Sequence, residues 1–145
     1  MRIAIASDHA GFDLRQIVSE HLVALGHEVM DLGPAAKARC DYPDFAEKVG
    51  TKVASGEATF GFLCCGTGVG MAMAANKVRG VRAAVVSDSF SARATREHND
   101  CNVLCLGERV VGPGLALQIV DAFLSGEFEG GRHVGRVQKI MDLER

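Results

Sequence analysis

Short apolar runs rich in strand-forming residues alternate along the chain with segments whose apolar positions recur at helical spacing. The runs are RIAIAS at 2–7, HEVMDL at 27–32, FGFLCC at 60–65, RAAVVS at 82–87 and NVLCLG at 102–107. After the first run, Leu14, Ile17, Val18, Leu22 and Leu25 share a helical face, and Gly26 supplies a stop. Residues 41–54 set Phe45, Val49 and Val53 four apart, and Ala116, Ile119, Val120, Phe123 and Leu124 form a further stripe that ends at Ser125-Gly126. The rhythm is strand then helix, repeated along the chain.

Strands of near-continuous apolar character, each followed by a helix, suit a parallel sheet covered on both faces, because every right-handed crossover lays a helix on one face. The pattern predicts an α/β protein: an open, doubly wound, Rossmann-like sheet of five parallel strands with helices on both faces. Its strand order does not follow from the pattern. A last segment, 133–144, carries Val134, Val137, Ile140 and Met141 on one stripe beyond the Gly130-Gly131 break. No strand follows it, so it is expected at an interface with a second copy of the chain.

With 145 residues, 48% of them hydrophobic, a single domain over 1–145 is expected to bury a full core. A formal charge of −2 offers no broad basic field for nucleic acid or a membrane surface. The five cysteines are an odd number without a CxxC pair, and no histidine pair stands at zinc spacing, so neither a disulfide framework nor a structural metal is expected. The opening MRIAIASDHAGF has too short an apolar run for a signal peptide, and no segment approaches the roughly 20 apolar residues of a membrane span. The expectation is a cytoplasmic protein with reduced thiols, small-molecule or self partners, and no cofactor.

Open α/β sheets bind ligands beyond the carboxyl ends of their strands. The residues there are Ser7-Asp8-His9, then Cys65-Gly66-Thr67-Gly68-Val69-Gly70, then Ser87-Asp88, with His98-Asn99-Asp100 at the end of the next helix and Gly107-Glu108-Arg109 after the fifth run. Glycines at 66, 68 and 70 let the backbone curl and present N–H groups at the start of an apolar, and so buried, helix, a natural place for an anion or oxyanion. The loop is not a Walker A motif, since Lys77 lies too far along. It is not a dinucleotide fingerprint, because it follows the third strand and the first turn holds one glycine. A cysteine-dependent phosphatase needs an arginine six residues after its cysteine, whereas Cys65 leads to Met71 and Cys64 to Gly70.

At a strand end beside a helix start, Cys65 is expected to have a lowered pKa and to serve as nucleophile or base, unless it is simply a small core residue. Cys64, on the other side of the strand, is read as core, and Cys40, Cys101 and Cys105 as structural or incidental. Asp8 suits a helix cap, while His9 stands where a ligand would bind. His98 and Asn99 fit either a helix end or a functional pair. Arg132 and Arg136, four apart around His133, can share a dianion. Arg109 can reach the same pocket or a second subunit, and Tyr42 lines the pocket or staples its turn. His21 and His27 are assigned no function.

Five blocks in order, SDHAGF at 7–12, DYPDFA at 41–46, CGTGVGMAMAANK at 65–77, HNDCNVLCLGERVVG at 98–112 and EGGRHVGRV at 129–137, make nearly the whole chain resemble the type B ribose-5-phosphate isomerases and the related galactose-6-phosphate isomerase subunits. The resemblance implies aldose–ketose isomerisation of a phosphorylated sugar through a cis-enediolate, without a metal. It makes Cys65 the proton-transferring base and gives the enediolate oxygen to the loop Gly66 to Gly70, with Thr67 beside the reacting centre. It implies that His98 opens the furanose ring aided by Asp8, that Asn99 binds hydroxyl groups, and that His9, Arg132 and Arg136 hold the phosphate with Arg109 of the facing subunit. It further implies dimers or dimers of dimers with shared pockets. Some members use a glutamate further along the loop as base; Met71 stands at that position here, so the cysteine variant applies. Hexose or tetrose phosphates remain alternative substrates, and a non-catalytic sugar-phosphate sensor remains the alternative of a different class.

Overall fold

The computed structural model describes residues 1–144. Five parallel strands, β1 (Arg2–Ser7), β2 (Glu28–Asp31), β3 (Phe60–Cys65), β4 (Ala83–Val85) and β5 (Val103–Gly107), form one sheet in the order β2-β1-β3-β5-β4. The helices are α1 (Phe12–Ala24), α2 (Tyr42–Ala54), α3 (Val69–Ala75), α4 (Ser89–Asn99), α5 (Pro113–Ser125) and α6 (Arg132–Met141). No described helix is long and apolar enough to cross a membrane.

Strand alternation divides the apolar residues into two cores. Ile3, Ile5, Phe62, Cys64, Leu104 and Leu106 face α1 and α5, whose Leu14, Val18, Leu22, Ile119 and Phe123 close that side. Ala4, Ala6, Leu63, Cys65, Val103 and Cys105 face α2 and α3 through Val49, Val53, Met71 and Ala75. Neighbouring Cys64 and Cys65 therefore point into opposite layers, as period-two geometry requires.

Three segments depart from the pattern. The run 82–87 yields only Ala83–Val85, because β4 is an edge strand paired with β5 alone and half open to solvent. The loop helix α3 is not buried all round: Val69 and Met73 are exposed on its outer face, since only one side meets the sheet. The last helix begins at Arg132 and ends at Met141, a shorter span than 133–144, and keeps Val134 and Ile140 exposed.

β1 and β3 are neighbours whose following helices cover opposite faces, so their exits flank the switch point at which open α/β sheets carry a binding crevice. Its walls are pressed together. A Cβ on Gly11 would stand 2.3 Å from the Cys64 carbonyl carbon, so only glycine lets the start of α1 approach the end of β3 this closely.

Candidate active site

At this crevice Asp8 is buried, and its Oδ1 accepts the amides of Ala10 at 2.9 Å and Gly11 at 3.1 Å. Its own amide donates to the Cys64 carbonyl at 3.2 Å, tying the β1 exit to the β3 exit. Among the described residues Oδ2 accepts no hydrogen bond, so Oδ1 alone does the capping. His9 faces the segment before α2, and its Nδ1 accepts the Cys40 amide at 3.3 Å. The side chain of Glu108 reaches across to take the Leu14 amide at 2.6 Å, which fastens the β5 exit to α1.

Cys65 ends β3 with its thiol buried, and the Gly68 amide donates to its sulfur at 3.0 Å. That contact requires Gly68 at φ +81°, a left-handed conformation that side-chain-bearing residues avoid. Thr67 Oγ1 accepts the Val69 amide at 3.3 Å, and the Arg109 amide donates to the Gly66 carbonyl at 3.0 Å. The ring of Tyr42 lies over Gly70, where a Cβ would come within 2.7 Å of it, so Tyr42 lines this loop. Burial pushes the neighbouring Cys64 thiol far above the usual cysteine range and Cys105 well above it, and desolvation also raises Cys101, which favours the protonated thiol in all three.

Arg109 belongs to this group within its own chain: its guanidinium lies about a van der Waals contact from where a Gly66 Cβ would be, at 3.5 Å. Within the chain, the turn after β5 sets Arg109 beside the loop that follows β3.

A second group stands elsewhere. His98 and Asn99 close α4, and their chain continues through Asp100 to the start of β5, where Asn102 accepts the Gly61 amide at 2.9 Å. Gly61 pairs with Val103 and Cys65 with Gly107, so His98 and Cys65 belong to opposite ends of the sheet, four residue steps or about 13 Å of strand apart. The expectation that His98 and Asn99 join the strand exits is therefore corrected within one chain: a helix that returns antiparallel to the strands delivers its last residues to their amino ends. Among the described residues no hydrogen bond or ion pair joins this group to the crevice.

The second group is built with care. Asp100 caps α4 at φ +48° and is gripped by Arg82 at 3.2 Å and Arg96 at 2.9 Å, fixing where His98 and Asn99 emerge. Arg96 is buried, donates to the Cys101 carbonyl at 2.6 Å, and stacks over Phe60 at 4.7 Å. The loop into α6, together with the first turns of that helix, brings Arg132 and Arg136, both exposed, to the same corner. It also brings two residues that the sequence reading did not single out as ligands. His133 is buried and stacks on His98, with ring centres 4.6 Å apart and planes within 14°. Glu129 Oε2 lies 3.5 Å from His133 Nε2 and 4.0 Å from His98 Nε2. The i,i+4 spacing of Glu129 and His133 around the glycine pair was the available signal.

Comparison with known proteins bears on both groups. A family model described as ribose/galactose isomerase matches residues 3–140. The ribose-5-phosphate isomerase B of Escherichia coli is 50% identical over 144 residues, covering 99% of this chain and 97% of that protein. Among experimental structures, the ribose-5-phosphate isomerase B of Clostridium thermocellum superposes with a TM-score of 0.97 at 52% identity, covering 99% of this chain and 97% of that one. The Mycoplasma genitalium ribose-5-phosphate isomerase B with bound ribulose 5-phosphate gives a TM-score of 0.94 at 50% identity, over 97% of this chain and 94% of that one.

Proposed function

Since the chain belongs to the ribose/galactose isomerase family and is a sugar-phosphate isomerase, we propose that it interconverts ribose 5-phosphate and ribulose 5-phosphate through an enediolate and without a metal. The observation that carries this reading is the buried Cys65 sulfur at the sheet's switch point, held by the Gly68 amide at 3.0 Å inside a turn of backbone donors.

In the proposed reaction the Cys65 thiolate takes the proton from C2 of the open-chain aldose. The C–H electron pair becomes the C1–C2 double bond, and the carbonyl electrons move onto O1, which the amides between Gly66 and Gly70 stabilise. Proton transfer between the two oxygens and return of the carbon proton to C1 give the ketose, so atoms and charge balance. Thr67 hydrogen-bonds beside the reacting carbons, and Tyr42 and Val69 wall that side. His98 opens the furanose ring with Asp8 Oδ2, Asn99 holds sugar hydroxyl groups, and His9, Arg109, Arg132 and Arg136 bind the phosphate.

Such a pocket needs both groups at once. The strand-length separation of Cys65 from His98 supports assembly from two copies, the crevice of one chain facing the α4–α6 corner of another. Exposed Val69, Met73 and Phe90 would then be covered by the partner. The proposed protein is a homodimer, or a dimer of dimers, in the cytoplasm.

Turnover of ribose 5-phosphate in chelator-treated buffer, by the native protein and by Cys65→Ala, tests the assignment. Activity that disappears in the variant while sugar-phosphate binding persists supports both the substrate and the base. Turnover restricted to a hexose or tetrose phosphate would reassign the substrate, and binding without any turnover would replace the isomerase reading by that of a sensor.

A further inference from the structure

The corner between α4 and α6 holds more polar machinery than ring opening uses. Gly130 at φ +67° and Gly131 at φ +56° fold the chain so that Glu129 and His133 turn toward α4, and the Glu129 amide fastens the loop by donating to the Glu97 carbonyl at 3.0 Å. His133 is only 6% exposed, yet among the described residues its buried Nε2 has no hydrogen-bond partner. Buried imidazole nitrogens are ordinarily satisfied, so one that stands 3.5 Å from a carboxylate without a hydrogen bond to it is open to a further partner.

We propose that His98, Glu129 and His133 form a binding site for a divalent transition-metal ion of the zinc class, and that an ion bound there inhibits the enzyme by withdrawing His98 from the substrate. Two imidazole nitrogens and one carboxylate oxygen make a three-ligand set suited to zinc, with a fourth position open to water; magnesium and calcium prefer sites made of oxygen. Metal–ligand bonds near 2.1 Å set tetrahedral donors about 3.4 Å apart. The His133–Glu129 distance of 3.5 Å meets that spacing, and the His98–Glu129 distance of 4.0 Å needs a small closure. All three donor atoms lie within 4.8 Å of one another.

Stacked rings cannot both direct in-plane lone pairs at one ion. Binding therefore turns one ring out of the stack, and the free one is His98, whose side chain is 42% exposed at the last turn of α4, while His133 at 8% stays fixed. Metal capture and sugar handling thus compete for the same imidazole. The inhibitory half of the proposal rests on the ring-opening role of His98; the binding half does not.

Cobalt(II) titration of the whole protein separates the two, because its visible absorption reports coordination without reference to turnover. One ion per chain with tetrahedral bands, no sulfur-to-metal charge transfer, and displacement by zinc is the expected result. Zinc, but not magnesium, should then inhibit isomerisation. Glu129→Gln, on an exposed loop residue, should keep basal activity and weaken cobalt binding by at least the roughly 10- to 100-fold that lesser losses around a metal cost; His133→Gln should weaken cobalt binding at least as much. Absence of the bands, or binding unchanged in both variants, overturns the site. Charge transfer from sulfur that vanishes in Cys65→Ala would place the ion at the thiol and overturn it too. Cobalt bound as described with zinc leaving turnover untouched would retain the site and overturn the role given to His98.

Discussion

The amide of Gly68 points at the sulfur of Cys65 across 3.0 Å, and the turn that aims it exists only because Gly68 sits at φ +81°. An alanine at 68 would be strained and would bring its Cβ within 2.8 Å of Val85 and 3.0 Å of the Leu106 carbonyl carbon. Gly68→Ala is expected to cost about 1–3 kcal/mol in urea unfolding and to lower kcat at least tenfold. A variant that loses stability but keeps kcat would show that the amide does not serve the thiol.

Adjacent cysteines should behave in opposite ways. Cys64→Ala empties part of a fully buried site and is expected to cost about 1 kcal/mol with activity retained. Cys65→Ala should lower kcat by about 10²- to 10⁴-fold, the usual worth of a positioned base. Because burial raises the Cys64, Cys101 and Cys105 thiols, iodoacetamide at pH 8 should leave all three unmodified in the native protein, as peptide mass analysis can verify.

Sharing of pockets between copies predicts complementation. Mixed after unfolding and refolding together, inactive Cys65→Ala and His98→Asn chains should recover roughly a quarter of the native activity, since half the pairs are hybrids and each hybrid keeps one intact pocket of two. No recovery, with hybrid pairs demonstrated by native mass spectrometry, would place each complete pocket within one chain.

For the phosphate clamp, Arg136→Ala removes a charge-assisted contact worth about 1.5–3 kcal/mol. The expected outcome is a KM for ribose 5-phosphate raised about 10- to 100-fold with kcat less affected. An unchanged KM removes Arg136 from the site.

The start of α4 provides a stability test with a defined sign. The Asp88 carboxylate accepts the Ser91 amide at 2.6 Å, and that hydrogen bond holds its pKa below the ordinary aspartate value. A carboxylate lowered on folding contributes stability above the unfolded pKa near 3.9, and the contribution fades as pH falls through the folded value. Asp88→Ala should therefore melt below the parent at pH 7, with the gap narrowing as pH drops toward 3. A gap independent of pH would remove the carboxylate from the account.

Local pattern was enough for much of this molecule. The alternation of FGFLCC dictates that Cys64 and Cys65 face opposite layers, the alternating runs and helical stripes dictate a covered parallel sheet, and the glycines at 66, 68 and 70 mark a backbone turn beside a thiol. These are short-range consequences of period and sterics. Strand order, the burial of only one side of α3, and the trimming of β4 to an edge required knowing what packs on what. The same holds for the deepest correction: His98 lies near Arg109 in sequence, yet α4 returns antiparallel to the strands and leaves His98 at the sheet's other end, stacked on His133 from a segment 35 residues away. Chain direction across the sheet decides which edge a residue reaches, and that is a property of the assembled layers rather than of any window of sequence.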